Sequence, residues 1–420
     1  MQFRRIVLTS LVVLGCGSSG AVDAALHSDL PTLRSSIGKE RQSGALDRGR
    51  VTRIAEAVAS REVYAGSGPA ASARIRGLRA CTQPLLPVIA ERAERPDEAG
   101  AEATLVLLET GRISAASLVA RHAESDSGAW RAVAARAATA PEHFRLRRRF
   151  YLDPDERVRR RALEAARQAP AALDLDALRE AARLDPDPMS QSLAVRAIGA
   201  LGGEAAVRAL SDLWERAEDD ARLAILDAWS IRPSFKAGGR AELLRVAETA
   251  RGMPAVSAAL ILLRVDSSST GLATTLLTRT VTEGPSDEQL LAIGAVPLDS
   301  TALDAVRKAA KDADPGVRIA ALERLLEVQG ERARTLAALR DEAKPTAAAP
   351  DTARTALARA GDTSVAPELK KALASKDGQR RTEAGMSLLA LGDYANAATL
   401  LGDGEASVRL AIACRILAGG

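Results

Sequence analysis

Apolar and polar positions follow one another along most of this chain in short helical stripes, separated by turn residues. The clearest example surrounds residue 314. Val317, Ala321, Leu322 and Leu325 recur three and four residues apart, the spacing of one face of an α-helix. Asp314 stands where an N-cap belongs, and Pro315 sits at the first helical position, where a missing N–H costs nothing. Upstream, Ser300 or Thr301 starts another stripe through Leu303 and Val306, and Gly330 closes the pair as a C-cap. The pattern predicts two short helices joined by a tight turn.

The same register recurs. Asp314-Pro-Gly-Val317-Arg318-Ile-Ala-Ala321-Leu322 is matched by Asp155-Glu-Arg-Val158-Arg159-Arg-Arg-Ala162-Leu163, by Glu405-Ala-Ser-Val408-Arg409 and by Asp377-Gly-Gln-Arg380-Arg381. Weaker copies stand at Arg74, Arg131, Arg222 and Arg354, and Gln191 replaces the arginine after Asp187-Pro188. Neighbouring copies lie roughly 27–32 residues apart, and a fixed period of this size marks a stacked array. Second helices are expected to begin near residues 69, 97, 126, 155, 187, 219, 253, 285, 314, 350, 377 and 405. Such a pair cannot bury its stripe alone, but stacking on its neighbours can. The expected architecture is all-α: an elongated α-solenoid of about 12 two-helix repeats over residues 49–420.

Composition agrees. Of 420 residues 47% are apolar but only 2% aromatic, and Ala, Leu and Arg carry the helices. That argues against an all-β fold, which draws on aromatic and β-branched residues. Residues 17–48 read as a tether around one short helix near 24–37, and the Pro/Ala stretch 343–350 reads as a loop where the array bends. Cys81 and Cys414 fall at opposite ends of an elongated array, so no disulfide is expected between them.

The Asp-x-x-Val-Arg-x-x-Ala-Leu pattern resembles the HEAT repeat, and its short period is similar to the HEAT-like repeats of phycobilisome lyases. The resemblance covers about nine-tenths of the chain. It implies that Asp155, Arg159, Asp314, Arg318 and Arg409 form a structural ladder of charge-assisted hydrogen bonds along the turns.

The N-terminus carries its own signal. Arg4-Arg5, the apolar run 6–14 and the small residues 15–20 have the layout of a secretory leader, too short to cross a bilayer as a lasting helix. Val13-Leu14-Gly15-Cys16 resembles a bacterial lipobox. This implies a signal peptide over residues 1–15, a lipid on Cys16, and residues 16–48 as the tether of an exported lipoprotein at the outer membrane or cell envelope. An ordinary cleaved signal, giving a soluble secreted protein, is the alternative. Losing residues 1–15 leaves 56 basic against 54 acidic residues, so the charge is nearly balanced without the leader.

Catalytic chemistry finds little material. None of His27, His122 and His143 is followed by Glu, as the metal-dependent HEAT enzymes would require, and no nucleophile elbow or phosphate loop is present. No catalytic residue, metal or cofactor is assigned. One local feature stands out: eight Arg fall between 145 and 161, beside Phe144, Phe150 and Tyr151. Arg145, Arg147, Arg148, Arg149, Arg157, Arg160 and Arg161 form a candidate patch for an anionic partner. Solvated arginines paired with Asp153, Asp155 and Glu156 are the plainer reading.

The expectation is therefore a non-enzymatic protein-binding scaffold, lipid-anchored at the bacterial cell envelope. Its partner is an unidentified protein, with acidic proteins among those the arginines would suit. No nucleic acid is expected. The alternative is a HEAT-like enzyme or nucleic-acid-binding protein, lyase- or glycosylase-like, that uses the arginine patch.

Overall fold

The computed structural model describes residues 20–419, so the leader and Cys16 lie outside the described residues. Two helices, α1 (Gly20–Leu26) and α2 (Leu30–Gln42), come first. Twelve two-helix units follow. Units 1 to 3 pair α3 (Arg48–Tyr64) with α4 (Gly68–Gly77), α5 (Leu86–Ala93) with α6 (Glu98–Glu109), and α7 (Ala115–His122) with α8 (Gly128–Ala137). Units 4 to 6 pair α9 (Phe144–Phe150) with α10 (Glu156–Gln168), α11 (Leu175–Leu184) with α12 (Pro188–Leu201), and α13 (Gly203–Trp214) with α14 (Asp219–Ser230). In unit 7 a short α15 (Arg232–Ser234) passes through a wide turn at Phe235–Gly239 into α16 (Arg240–Thr249), which pairs with α17 (Met253–Val265).

Units 8 to 10 pair α18 (Thr270–Glu283) with α19 (Ser286–Ala295), α20 (Ser300–Ala309) with α21 (Pro315–Leu325), and α22 (Arg332–Glu342) with α23 (Pro350–Arg359). Unit 11 pairs α24 (Ala366–Ala372) with α25 (Gly378–Ala390). In unit 12, α26 (Tyr394–Ala397) and the 3₁₀ turn Ala398–Gly402 precede α27 (Ala406–Leu417). Every second helix begins within two residues of the start that the repeat predicts, and no strand occurs among the described residues. The caps explain this. Asp97, Asp155, Asp187, Asp314 and Asp377 each accept a backbone N–H from the first turn of their helix.

Adjacent second helices pack along one another, whereas first helices meet their neighbours more sparsely. The second helices therefore form the inner, shorter layer of a curved array. In units 2 to 4, Arg157 and Arg161 on α10 reach past α8 to Glu98 and Glu102 on α6, at 3.1 and 3.7 Å.

The array is an α-solenoid, but it is not open-ended. The last helix, α27, lies along α3, and the Ala398–Gly402 turn packs on α2. One apolar cluster runs from Ala101 to Leu325, and a second joins residues 21–107 to 319–416 across the seam. Val51, Ile54 and Val58 on α3 are buried there with Val408, Ile412 and Ile416 on α27. The expected elongated shape is thus corrected to a closed ring, because small rotations per unit add up over twelve units.

Closure overturns a second expectation. Cys81, just beyond α4, and Cys414, on α27, form a disulfide, with Cα atoms 5.1 Å apart and a sequence separation of 333. The stretch read as a tether also differs. From Gly20 onward it forms two packed helices whose Ala21, Ala24, Ala25, Leu33 and Ile37 are buried in the seam cluster. Arg34 donates from Nε to the Gly402 carbonyl at 2.5 Å, and Arg48 donates to the Gly419 carbonyl at 2.8 Å.

Candidate functional site

The arginines of the repeat do one recurring job. Arg159 Nη1 donates to the carbonyls of Asp153 and Pro154, five and six residues back, so it clamps the turn of its own unit. Its Nε and Nη2 then reach forward to the Asp185 carboxylate of the next unit, at 2.8 and 3.1 Å. Arg131 makes the same bidentate pair with Asp153, Arg318 with Glu342 and Arg381 with Asp403. Arg409 clamps Asp403 and Gly404, and its forward partner is Glu62 of unit 1, at 3.2 Å from Nε. The ladder therefore crosses the seam.

Asp155 and Asp314, expected as ladder acids, serve instead as helix caps. Asp155 accepts from the Arg157 N–H and side chain, and Asp314 from the N–H groups of Gly316 and Val317. The accepting acids Asp153, Asp185 and Asp403 stand two residues before a cap, and each also accepts the N–H of that capping residue. Burial pushes the Asp153 and Asp403 carboxyls up, but the Arg131 and Arg381 guanidiniums and that backbone N–H outweigh it and hold both below the ordinary aspartate value. The doublets Asp153-Pro-Asp155, Asp185-Pro-Asp187 and Asp403-Gly-Glu405 are the sequence signal that marks them.

A second set of ties links the first helices. Arg147 pairs with Asp174, Arg240 with Asp266, Arg307 with Glu331 and Arg340 with Asp362, each at 2.7 Å, and Lys370 pairs with Asp393 at 3.0 Å. In each case a cation on one first helix meets an acid at the start of the next. These acids precede or open the first helices, which carry the weaker repeat signal.

The arginine-rich segment is absorbed by both sets. Arg147 is fully buried, bound to a fully buried Asp174 and to the carbonyls of Ala138 and Ala140. Arg157 pairs with Asp155 and Glu98, Arg160 with Asp187 and Glu156, and Arg161 with Glu102, Glu109 and Glu164. Arg149 pairs with Glu124 while remaining half exposed. Arg145 lies over the Phe144 ring, and Arg148 is exposed. The seven residues do not form one patch: four are tied into the fold and three remain at the surface. Reversing the charge at Arg147 would therefore test folding, not binding.

The ladder is interrupted where Ala101, Gln191, Val256 and Gln289 stand at the arginine position, four residues after the cap. Gln191 keeps the backward bond, from Nε2 to the Asp185 carbonyl at 2.8 Å, but has no guanidinium to send forward. Its would-be acceptor in unit 6, two residues before the Glu218 cap, is Arg216. Units 5 and 6 touch closely at the far end, where a Cβ on Gly199 would meet the Ala228 carbonyl oxygen at 2.5 Å, and Ser234 of unit 7 donates to the Gly199 carbonyl. Toward the untied turns they diverge around a cleft of about 870 Å³. Val195, Ala224 and Ile225 form its buried floor. The unit 5 wall carries Arg179 and Arg183; the unit 6 wall carries Asp212, Glu215, Glu218 and Asp220, with Arg216 among them. Beside it Leu184 and Met189 are 66% and 54% exposed, and Leu152, one unit back, is 78% exposed.

Among the described residues no group of three or more His, Cys, Asp and Glu is placed to hold a metal ion. His122 stacks on Trp130 with ring centroids 4.4 Å apart, and burial lowers its pKa. No helix among these residues is long and apolar enough to cross a membrane.

No protein-family model matches the chain, and no curated protein does either. Among solved structures, the X-ray structure of YibA from E. coli is similar over 68% of this chain and 95% of that one, at 16% sequence identity and a TM-score of 0.29.

Proposed function

We propose that this chain is a non-enzymatic scaffold of HEAT-like repeats, held at the bacterial cell envelope by a lipid on Cys16, that offers a surface to a protein partner. The observation that carries the reading is the edge formed by Leu152, Leu184 and Met189. These are among the most exposed large apolar side chains of the described residues, at 78%, 66% and 54%, and they lie beside turns that arginine–aspartate pairs tie from unit to unit. Apolar surface gathered on one edge and rimmed by charge is typical of a protein interface. Export draws support from the Cys81–Cys414 disulfide, because such bonds persist in oxidising compartments. The alternative use of the arginine segment for nucleic acid or catalysis loses its footing, since Arg147, Arg157, Arg160 and Arg161 already hold intramolecular acids.

Fractionation of bacteria expressing the full chain tests this. The protein is expected in the membrane fraction and in the detergent phase, and Cys16→Ser should release it from both. Recovery in the cytosol with Met1 intact would overturn the reading.

A further inference from the structure

The interruption at Gln191 has a shape and a charge pattern of its own. In units 4 and 5 a forward arginine–aspartate pair holds neighbouring turns together, as Arg131 does with Asp153 and Arg159 with Asp185. Between units 5 and 6 that tie is missing on both sides, since Gln191 has replaced the donor and Arg216 the acceptor. The open cleft lies between a basic wall and a predominantly acidic one, and Ala182, Leu213, Ala217 and Ala221 are partly exposed apolar residues of its lining. A single pair, Arg179 with Asp212 at 3.4 Å, spans the walls. Arg183 on one wall, and Glu218 and Asp220 on the other, are exposed and have no side-chain partner among the described residues.

We propose that this cleft docks a segment of a partner protein in which large apolar side chains lie between an acidic and a basic residue. The apolar group covers Leu213, Ala217 and Ala221. The carboxylate meets Arg183, and the cation meets Glu218 and Asp220. Opposite walls select a segment carrying both signs, because a segment of one sign that is attracted by one wall is repelled by the other. Leu184 and Met189 extend the apolar surface past the mouth, which a folded partner would cover and a small ligand would not. This proposal rests on the scaffold reading and names the place and chemistry of its contact.

The test uses the full chain with its disulfide intact and four labelled hexapeptides, followed by fluorescence anisotropy. EELLKK and KKLLEE carry both signs in the two directions; EELLEE and KKLLKK carry one. At least one mixed peptide should bind tenfold or more tightly than both single-sign controls. The decisive variant combines Gln191→Arg with Arg216→Asp, which installs the tie that joins units 4 and 5. It should weaken the mixed peptide at least tenfold while thermal stability is kept or raised. Ala221→Trp, which fills the cleft from its side, should block binding without rebuilding the tie. Equal binding of all four peptides, no binding by either mixed peptide, or unchanged affinity in the tied variant would each overturn the proposal. Peptide binding by a chain that stays in the cytosol would leave the cleft standing and remove the envelope reading.

Discussion

Removing the disulfide that closes the ring, through Cys81→Ser with Cys414→Ser, separates two contributions to closure. The bond joins residues with a sequence separation of 333, so on the chain-entropy relation its loss releases about 5–6 kcal/mol of unfolded-state freedom at 25 °C, while native disulfides typically contribute about 2–5 kcal/mol. For about 400 folded residues the unfolding entropy is roughly 0.8 kcal/mol/K. A cooperative melt should therefore shift down by about 4–6 °C for a loss of 3–5 kcal/mol. The covalent bond is not the whole seam. Val51, Ile54 and Val58 stay buried against the helix bearing Val408, Ile412 and Ile416, and Arg409 still binds Glu62. The variant should remain closed at 25 °C, with an unchanged radius of gyration by solution scattering.

What should change is local opening. With both ends free, α27 is the terminal helix of an array, and terminal elements open with less than the global free energy. Amide exchange in α27 and α3 should accelerate before exchange in units 4 to 6 does. An unchanged melt and unchanged α27 exchange would refute the idea that the bond constrains the seam. A ring that already stands open at 25 °C would refute the idea that the apolar seam suffices without it.

Four further outcomes follow from the ties between units. Arg159→Met should cost about 3–5 kcal/mol by urea denaturation, because it strands a buried Asp185, whereas Arg145→Ala at the exposed surface should stay within about 0.5 kcal/mol. Arg147→Met should cost a similar amount by leaving the fully buried Asp174 without its guanidinium, and pairing it with Asp174→Leu should recover much of the loss in a double-mutant cycle. Hydrogen bonds from Ser268 and Ser269, with Arg240 behind them, hold the Asp266 carboxyl at about 2 against 3.8 when unperturbed. A depressed folded value means that its stabilisation is present above about pH 4 and lost as pH falls toward about 2, so Asp266→Asn should flatten that limb in urea midpoints taken across this range. Glu62→Gln should loosen the seam as Asp403→Asn loosens the joint between units 11 and 12, each read as faster exchange in the adjoining helices.

The legible parts of the fold were those whose cause is local. A second helix begins at Asp314 or Asp187 because a carboxylate caps the first turn and proline fits its first position, and both residues stand within the segment they organise. The packed helices before Arg48 were visible in the same way, since Leu33 and Ile37 lie at helical spacing, yet they lack a repeat copy to align with and so read as a tether. The arginine run misled for a related reason. Its cations are clustered in sequence, but their acids are spread: Asp174, Asp185 and Asp187 belong to the following unit, and Glu98 and Glu102 to one two units back. A run of like charge is a surface patch only if neighbouring units supply no counterions, and in a solenoid they lie a full period away.

Closure is the extreme case of the same principle. No residue near Cys414 encodes the nearness of Cys81; only the sum of the rotations between successive units brings them together, and an error of a few degrees in each would leave them far apart. Yet the seam leaves a trace in the ladder's grammar. Arg409 sits in the last unit with the forward-reaching side chain that every intact rung uses, and an arginine that clamps its own turn with Nη1 still presents Nε and Nη2 to a following acid. In an open array that guanidinium would face solvent. A complete rung at the final repeat is thus a sequence-level reason to look for a following unit, and the following unit is the first, through Glu62. The rung missing at Gln191 works in the opposite sense: there the donor and the acceptor are both replaced, by Gln191 and Arg216, and a cleft lies beside the untied turns.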